Sequence, residues 1–416
     1  MIKHYDLVIA GGGMVGASLA CALLPVAQAL QLKIALVELQ PLPPPDESRF
    51  QPSYDARSTA LAYGARSFYQ ATGVWQRLQE HLTPIEHIHV SDRGHFGATR
   101  LHAADEQVPA LGYVVENHWL GQVLLDHIRK DRSGCLDFIC PAEIESFTPG
   151  EGCSLLSVKT PDAQLQLQAE LAVIADGGRS GLREALGISC EEHHYDQHAL
   201  VANISLDRPH QQVAYERFTD SGPMALLPGE TLDGEFRCGL VWTLPDEDVA
   251  DVLALDDVAF LQQLQQTFGY RAGRFMRVGE RYSYPLKLTL AQEQVRAGLV
   301  VLGNAAHALH PIAGQGYNLA LRGVTDLAEN LIASRQMGIS LGDLARLQTY
   351  EQQRKADQLR TIGFSDKTMR LFSNPNPILS LGRSLGLQFL DICPLGKTLF
   401  ARAAMGLNSP ALQLPR

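Results

Sequence analysis

A chain of 416 residues with 45% hydrophobic content is long enough to bury a full core, in two domains or in one large domain with an inserted lobe. Its formal charge of −10 comes without any basic stripe, which argues against a nucleic-acid partner. Seven scattered cysteines without a C-x-x-C pair read as reduced thiols, not as zinc ligands or a disulfide framework, so no metal is expected.

The chain opens with "MIKHYDLVIAGGG", in which a few apolar residues run straight into a turn. This start lacks the apolar core and cleavage site of a signal peptide. No uninterrupted apolar run reaches the length of about 18 residues needed to cross a bilayer. A cytoplasmic protein is expected. "YDLVIA" (5–10) is a short strand-type run, "MVGASLACALL" (14–24) reads as a helix packed on a sheet and ended or kinked by Pro25, and "KIALVE" (33–38) closes a βαβ unit. The proline-rich stretch 39–53 reads as a surface loop, after which a helical pattern resumes at "ALAYGARSFYQATGVWQRL".

Residues 86–101 alternate like a hairpin. Further strand-type runs follow at 199–206, 212–219, 222–229 and 236–245, which together predict a mixed or antiparallel sheet separate from the first unit. Between them, "ELAVIADGGRSGLREALG" (170–187) is another buried strand ending in Asp-Gly and leading into a helix. From about residue 315 onward the pattern is helical. "EEHHYDQH" (191–198) has three histidines among acidic residues, but without cysteine or H-x-x-x-H spacing it reads as a solvated loop.

Gly11, Gly13 and Gly16 have the G-x-G-x-x-G spacing between a strand and a helix. The first allows the tight turn, the second lets backbone approach a pyrophosphate, and the third permits close helix–strand packing. The helix N-terminus adds free N–H groups and a positive dipole end. Glu38, ending the second strand, is placed to accept hydrogen bonds from an adenosine ribose. This unit alone leaves NAD and FAD both open. A second glycine-rich turn, "GNAAHALHPIAGQG" (303–316), lies between the apolar run "LVVLG" and a helix striped by Leu321, Val324, Leu327 or Ala328, and Leu331. A flavin, which is held along its ribityl chain and ring as well as its pyrophosphate, suits two such turns. Backbone N–H groups at Gly314 and Gly316 would face its pyrimidine edge.

With the glycine turn, Asp176-Gly177 followed by Ser180 and Arg183, and the third motif in order, the chain resembles the FAD-dependent aromatic hydroxylases that use a single dinucleotide fold. Where that family usually has Gly-Asp-Ala-Ala-His, this sequence has Gly303-Asn304-Ala305-Ala306-His307; Asn304 can still accept a hydrogen bond from a ribityl hydroxyl but brings no charge. Arg57, in "DARSTAL", matches the family's arginine near the flavin. "HVSDRGHFG", "YERFTDSGPMALLP" and "YSYPLKLT" resemble the ubiquinone-ring hydroxylase branch over nearly the full length, a branch that also has Asn at the 304 position.

The resemblance implies an α/β fold in which a single dinucleotide-binding, Rossmann-like FAD domain (1–85, 102–188 and 290–340) is interleaved with a mixed β-sheet substrate domain (86–101 and 189–289), followed by a helical C-terminal region (341–416). It implies bound FAD, held by Gly11, Gly13, Gly16, Glu38, Arg57, Asp176, Gly177, Gly303, Asn304, Pro311, Gly314 and Gly316. It further implies NAD(P)H as a transient electron donor that needs no second dinucleotide fold. The reduced flavin would activate O2 at its C4a position and pass an oxygen atom to a polyprenylated phenol. Arg57 and His310 are the candidates for catalytic contact. A histidine in such a loop commonly serves as a structural hydrogen-bonder, and His307 is read that way.

Other classes remain to be tested. A flavin halogenase would carry W-x-W-x-I-P, which "VWTLP" does not match, and an NAD dehydrogenase would purify colourless. A flavin-retaining scaffold subunit would show no substrate-stimulated NAD(P)H oxidation. Residues 376–407 place Ile378, Leu381, Leu385, Phe389 and Ile392 on one helical face near Arg383, Lys397 and Arg402. Because a polyprenyl phenol lives in the bilayer, this segment is expected either to rest on the inner membrane or on other ubiquinone-biosynthesis proteins, or to pack as a final helical hairpin.

Overall fold

A computed structural model describes residues 2–41, 57–150, 152–178, 180–309, 314–372, 377–407 and 411–415. His310, Pro311 and most of the loop read at 39–53 lie outside the described residues.

Ile2–Ala10 is the centre of an eight-stranded sheet. Parallel neighbours Ile34–Val37 and Gln164–Ile174 flank it, with Leu136–Ile139 beyond the first and Leu299–Val301 beyond the second, both parallel. A central parallel strand is covered on both faces, which is why "LVIA" is apolar at every position. Leu7 and Ile9 pack with Leu19 and Leu23 of the Met14–Ala27 helix, Trp119 and Leu124 of Asn117–Lys130, and Val324 and Leu327 of Gln315–Gln336. Val8 and Ala10 face a second cluster containing Leu167 of Gln164–Ile174, with Ile144 and Leu156 from the antiparallel strands Glu143–Thr148 and Ser154–Lys159. The first helix runs through Pro25 to Ala27 and is not ended there; in the last turn, the missing proline N–H removes a single intrahelical bond.

A nine-stranded sheet forms the second layer. It runs from His307–Ala308 through Tyr282–Ala291, Cys190–Leu206, Phe236–Pro245, Gly222–Pro228 and Val213–Thr219 to the His87–Asp92 and Ala98–His102 hairpin. It is mixed, because Val213–Thr219 and His87–Asp92 are parallel while the other pairs are antiparallel. One face packs Leu200, Met224, Leu226, Leu240 and Trp242 against Phe260, Leu264 and Phe268 of the Asp257–Phe268 helix. The opposite face carries Ala214, Ala225, Leu227 and Val241, as the two-residue period of a strand requires.

Two local expectations fail for the same reason. The stretch 191–198 is not a loop: it belongs to the 17-residue strand Cys190–Leu206, with a register shift between His194 and His198. Glu191, Glu192, His193 and His194 are exposed, but main-chain pairing with Tyr282–Ala291 decides the backbone, and Lys287 bonds Glu192 at 2.8 Å. Likewise the start of the 60–78 stretch is a strand, Ser58–Ala62, antiparallel to Gly112–Glu116 in a three-stranded sheet. Helix there is limited to Ala65–Ala71 and Trp75–Leu78.

The C-terminal region is helical, as its pattern predicts: Leu344–Phe372, Pro377–Ile392 and Pro394–Ala404. The Pro377–Ile392 helix is tied to the second sheet. Thr99 Oγ1 donates to the Leu387 carbonyl at 2.6 Å, and the buried Arg383 reaches Asp92 at 3.3 Å and the Leu371 carbonyl at 2.7 Å. Leu385, Phe389 and Ile392 are nevertheless 53%, 65% and 76% exposed, so this face is not core; the side chains of Ile378 and Leu381 are outside those described.

Candidate active site

The parallel strands of the first sheet end at Ala10, Val37, Ile174 and Val301, and Gly11, Glu38, Asp176 and Gly303 follow one or two residues later. The crevice outside the carboxyl ends of such strands is where open α/β sheets bind ligands. Three segments far apart in sequence meet there. Gly11 N donates to the Val37 carbonyl and Ala175 N to the Ala10 carbonyl, each at 2.8 Å. Arg183, buried behind Asp176-Gly177, donates from Nη1 to the Ala305 carbonyl at 3.0 Å, joining the second motif to the third. A Cβ at Gly303 (φ +65°) would stand 3.0 Å from both methyls of Val15, joining the third motif to the first.

Glu38 accepts from Gly12 N at 2.6 Å and from Gln40 N at 2.7 Å. Two backbone donors fix the carboxylate beside the turn and leave further lone pairs for a ligand. Asp176 accepts from Gly178 N at 2.8 Å and from the Ser180 hydroxyl, closing its own turn. Gly11 sits at φ +106°, where a Cβ would press to 2.7 Å from the Ala175 carbonyl oxygen, and a Cβ at Gly16 would overlap the Gly11 carbonyl oxygen.

A cavity of about 1020 Å³ extends from these turns to the inner face of the second sheet. Gly11, Gly13, Glu38, Arg57, Asp176, Gly177, Asn304, Gly314 and Gly316 line it; Gly16 and Gly303 lie behind the lining, holding the turns together. At that volume it exceeds what one small ligand needs. Three of the glycines that border it face open space: a Cβ added at Gly13, Gly177 or Gly316 would meet no atom within 4 Å. The 22-residue Gln315–Gln336 helix points its N-terminus at the cavity, where unpaired N–H groups and the dipole favour negative charge. This cradle fits a dinucleotide with a ring system that becomes anionic on reduction.

Two asparagines in the lining carry no sequence signature of their own. Asn318 (Oδ1 from Ala62 N at 2.8 Å; Nδ2 to the Ala60 and Gly314 carbonyls at 2.8 and 2.9 Å) locks the helix start to the Ser58–Ala62 strand. Asn117 accepts from Thr59 Oγ1 at 2.6 Å. Arg57 is exposed, with its guanidinium 5.0 Å from the ring centre of Tyr284. His307 is buried and off the lining, and burial lowers its pKa to about 4, so it stays neutral and has no proton to give near pH 7. Among the described residues no group of histidines, cysteines or carboxylates is arranged to hold a metal ion.

Residues 4–365 match the FAD binding domain family, and the chain belongs to that family, with FAD as its cofactor. Within it, the chain is 35% identical to a ubiquinone hydroxylase, UbiL, of Rhodospirillum rubrum, over all of this chain and 92% of that protein. It is 28% identical to the mitochondrial ubiquinone biosynthesis monooxygenase COQ6 of Homo sapiens, over 96% of this chain and 92% of that one. The fold is shared with the p-nitrophenol 4-monooxygenase PnpA of Pseudomonas putida, with a TM-score of 0.74 at 17% identity, covering 98% of this chain and 99% of that one.

Proposed function

We propose that this protein is an NAD(P)H- and O2-dependent monooxygenase that hydroxylates the ring of a polyprenylated phenol in ubiquinone biosynthesis, with a substrate of the 2-octaprenyl-6-methoxyphenol type. The observation that carries the reading is one continuous cavity, which runs from the glycine turns to an apolar sheet wall. When bound, FAD supplies the redox chemistry, taking electrons from NAD(P)H and transferring one oxygen atom of O2 to the ring.

The chain's own part is binding, orientation and exclusion of water. Gly11, Gly13 and Gly16, with the helix that starts at Met14, hold the pyrophosphate, and Glu38 holds the adenosine ribose. Asp176, Gly177 and Asn304 border the ribityl chain, and Gly303 shapes the turn behind them. Gly314 and Gly316 present N–H groups to the pyrimidine edge, and Arg57 stands at the cavity rim over Tyr284. Ile88, Val90, Ala214, Ala225, Leu227 and Val241 form a wall that excludes water from the reacting ring.

The test is NAD(P)H oxidation by the purified yellow protein with and without a short-chain prenylated phenol, followed by mass spectrometry of the phenol. Stimulated oxidation with a gain of one oxygen atom is expected. FAD-loaded protein that shows neither would favour a flavin-retaining scaffold subunit instead.

A lipid-soluble substrate also calls for contact with a membrane surface. Among the described residues no helix is long and apolar enough to cross one. Leu387, Leu390, Phe400 and Ala404 line the cavity, while Leu385, Phe389, Ile392, Leu395 and Leu399 on the same two helices are exposed. We infer that this outer apolar face rests on the lipid and that the tail enters between the helices. Removing the helices would uncover Asp92, Thr99 and Arg100, which they partner, so substitution is the cleaner experiment. The triple substitution Phe389→Glu, Ile392→Glu, Leu395→Glu is expected to lower co-sedimentation with lipid vesicles by at least about tenfold while FAD is retained. Unchanged co-sedimentation would refute the contact.

A further inference from the structure

On the inner wall of the cavity the apolar pattern is broken once. Val90, Glu216, Ala225 and Val241 form one row across four adjacent strands, since Glu216 pairs with Val90 on one side and Ala225 on the other, and Ala225 pairs with Val241. The flanking positions of the same strand are Ala214 and Phe218, also on the lining. A carboxyl thus stands in the middle of a hydrocarbon surface that faces the cavity. Among the described residues it makes no hydrogen bond or ion pair, and no structural contact explains its presence.

We propose that the Glu216 carboxyl is the hydrogen-bonding contact for the ring hydroxyl of the phenolic substrate. This rests on the phenol-hydroxylase reading above and assigns the polar end of its substrate site. The remaining ionisable groups on the lining are Glu38, Arg57, Glu143, Asp176, Tyr215 and Tyr317. Glu38 and Asp176 are held in their own turns. Tyr317 bonds Ser18 and Tyr69 at 3.0 and 2.6 Å. Next in sequence to Glu216, Tyr215 and Arg217 lie against Phe268 on the helix-covered face. Burial alone pushes the Glu216 pKa up to about 8, so the group is largely protonated at neutral pH. A protonated carboxyl both donates and accepts, as a phenol does, whereas a carboxylate only accepts. An otherwise apolar pocket with one such group orients an amphipathic ring by its hydroxyl and leaves the tail to the hydrocarbon wall.

The assignment is tested by titrating FAD-loaded wild type, Glu216→Leu and Glu216→Gln with a short-chain prenylated phenol and with its O-methyl ether, following the flavin absorption spectrum. Wild type is expected to prefer the phenol by about tenfold, the ratio that one hydrogen bond supplies. Glu216→Leu should lose the preference while binding the ether at least as well, because only the polar contact is removed. Glu216→Gln, which can still donate and accept, should keep most of it. Both variants are expected to fold, since neither puts a charge on the wall, and FAD retention reports this directly. A Glu216→Leu protein that still prefers the phenol, in an enzyme whose wild type shows phenol-stimulated NAD(P)H oxidation, overturns the assignment alone. A wild type that binds neither compound overturns the phenol reading and the assignment together.

Discussion

Gly16→Val is expected to yield a protein that emerges from gel filtration without its yellow colour. A Cβ at this position overlaps the carbonyl oxygen of Gly11 and stands 3.1 Å from Ile9 Cγ2, so the helix start must move away from the first strand. Gly11 is itself held at φ +106° close to the 175–176 backbone, where an added Cβ would stand 2.7–2.8 Å from Ala175 and Asp176, so it has little room to yield. Overpacking of this kind costs about 1–3 kcal/mol or more, and here the displaced atoms are those that hold the pyrophosphate. Retained FAD should fall by at least about tenfold, read as the ratio of flavin to protein absorbance. Gly13→Ala is the informative partner. Its Cβ meets no protein atom and would project into space that the cofactor needs. The FAD-free protein should therefore melt at the wild-type temperature while its affinity for FAD drops. If Gly16→Val retains FAD fully, the turn is not the phosphate site.

What could be read in advance follows from how local each feature is. The βαβ unit is a local object: the strand pattern, the glycine spacing and Glu38 lie within the first 38 residues, and the bond from Gly12 N to Glu38 is what that spacing requires. The helix stripe at Leu321, Val324, Leu327 and Leu331 is equally local, and all four are buried. Features that depend on distant partners were not legible. "STALA" has the small residues of a helix, but pairing of Ser58–Ala62 with Gly112–Glu116 makes it a strand. The polar stretch 191–198 is a strand because neighbouring strands claim its backbone, whatever its side chains prefer. Asn318 acts on Ala60 and Ala62, more than 250 residues away, so no window of sequence reveals it. Glu216 is a similar case. Glutamate in an alternating strand reads as an outward-facing residue, and only the cavity on that face gives it another meaning. The amphipathic pattern of the last helices predicts their apolar face but not whether another element covers it.

Arg354→Met is expected to destabilise the protein by about 3–5 kcal/mol at pH 7, the cost of leaving buried charges without their partner. Arg354 is 2% exposed, among the largest fully buried side chains of the chain. Its Nη1 reaches Asp326 at 3.1 Å and Asp357 at 2.7 Å, and its Nη2 donates to the Leu319 carbonyl at 3.3 Å. The bonds to Asp326 and Leu319 clamp the Leu344–Phe372 helix to Gln315–Gln336, whose first turn lines the flavin end of the cavity. Burial raises the Asp357 pKa, but Arg322 and Arg354 outweigh it and hold the group below its ordinary value. A carboxylate with a lowered folded pKa contributes stability that is present above its unfolded pKa and is lost as pH falls through the folded one. At Asp326 burial outweighs the pull of Arg354 and keeps the pKa raised, so with the arginine gone that group takes up a proton readily as pH falls. The Asp326 effect makes the cost of Arg354→Met largest near neutral pH and smaller toward pH 4, while the Asp357 contribution, lost only as pH falls through its lowered pKa, is still present there. Adding Asp326→Asn, which removes one of the stranded charges, should recover part of the loss. Urea unfolding of the four proteins of this cycle (wild type, each single variant and the double variant) at both pH values measures the coupling directly. A cost independent of pH, or none recovered by the second substitution, would show that Arg354 acts there through its packing and not through its charge.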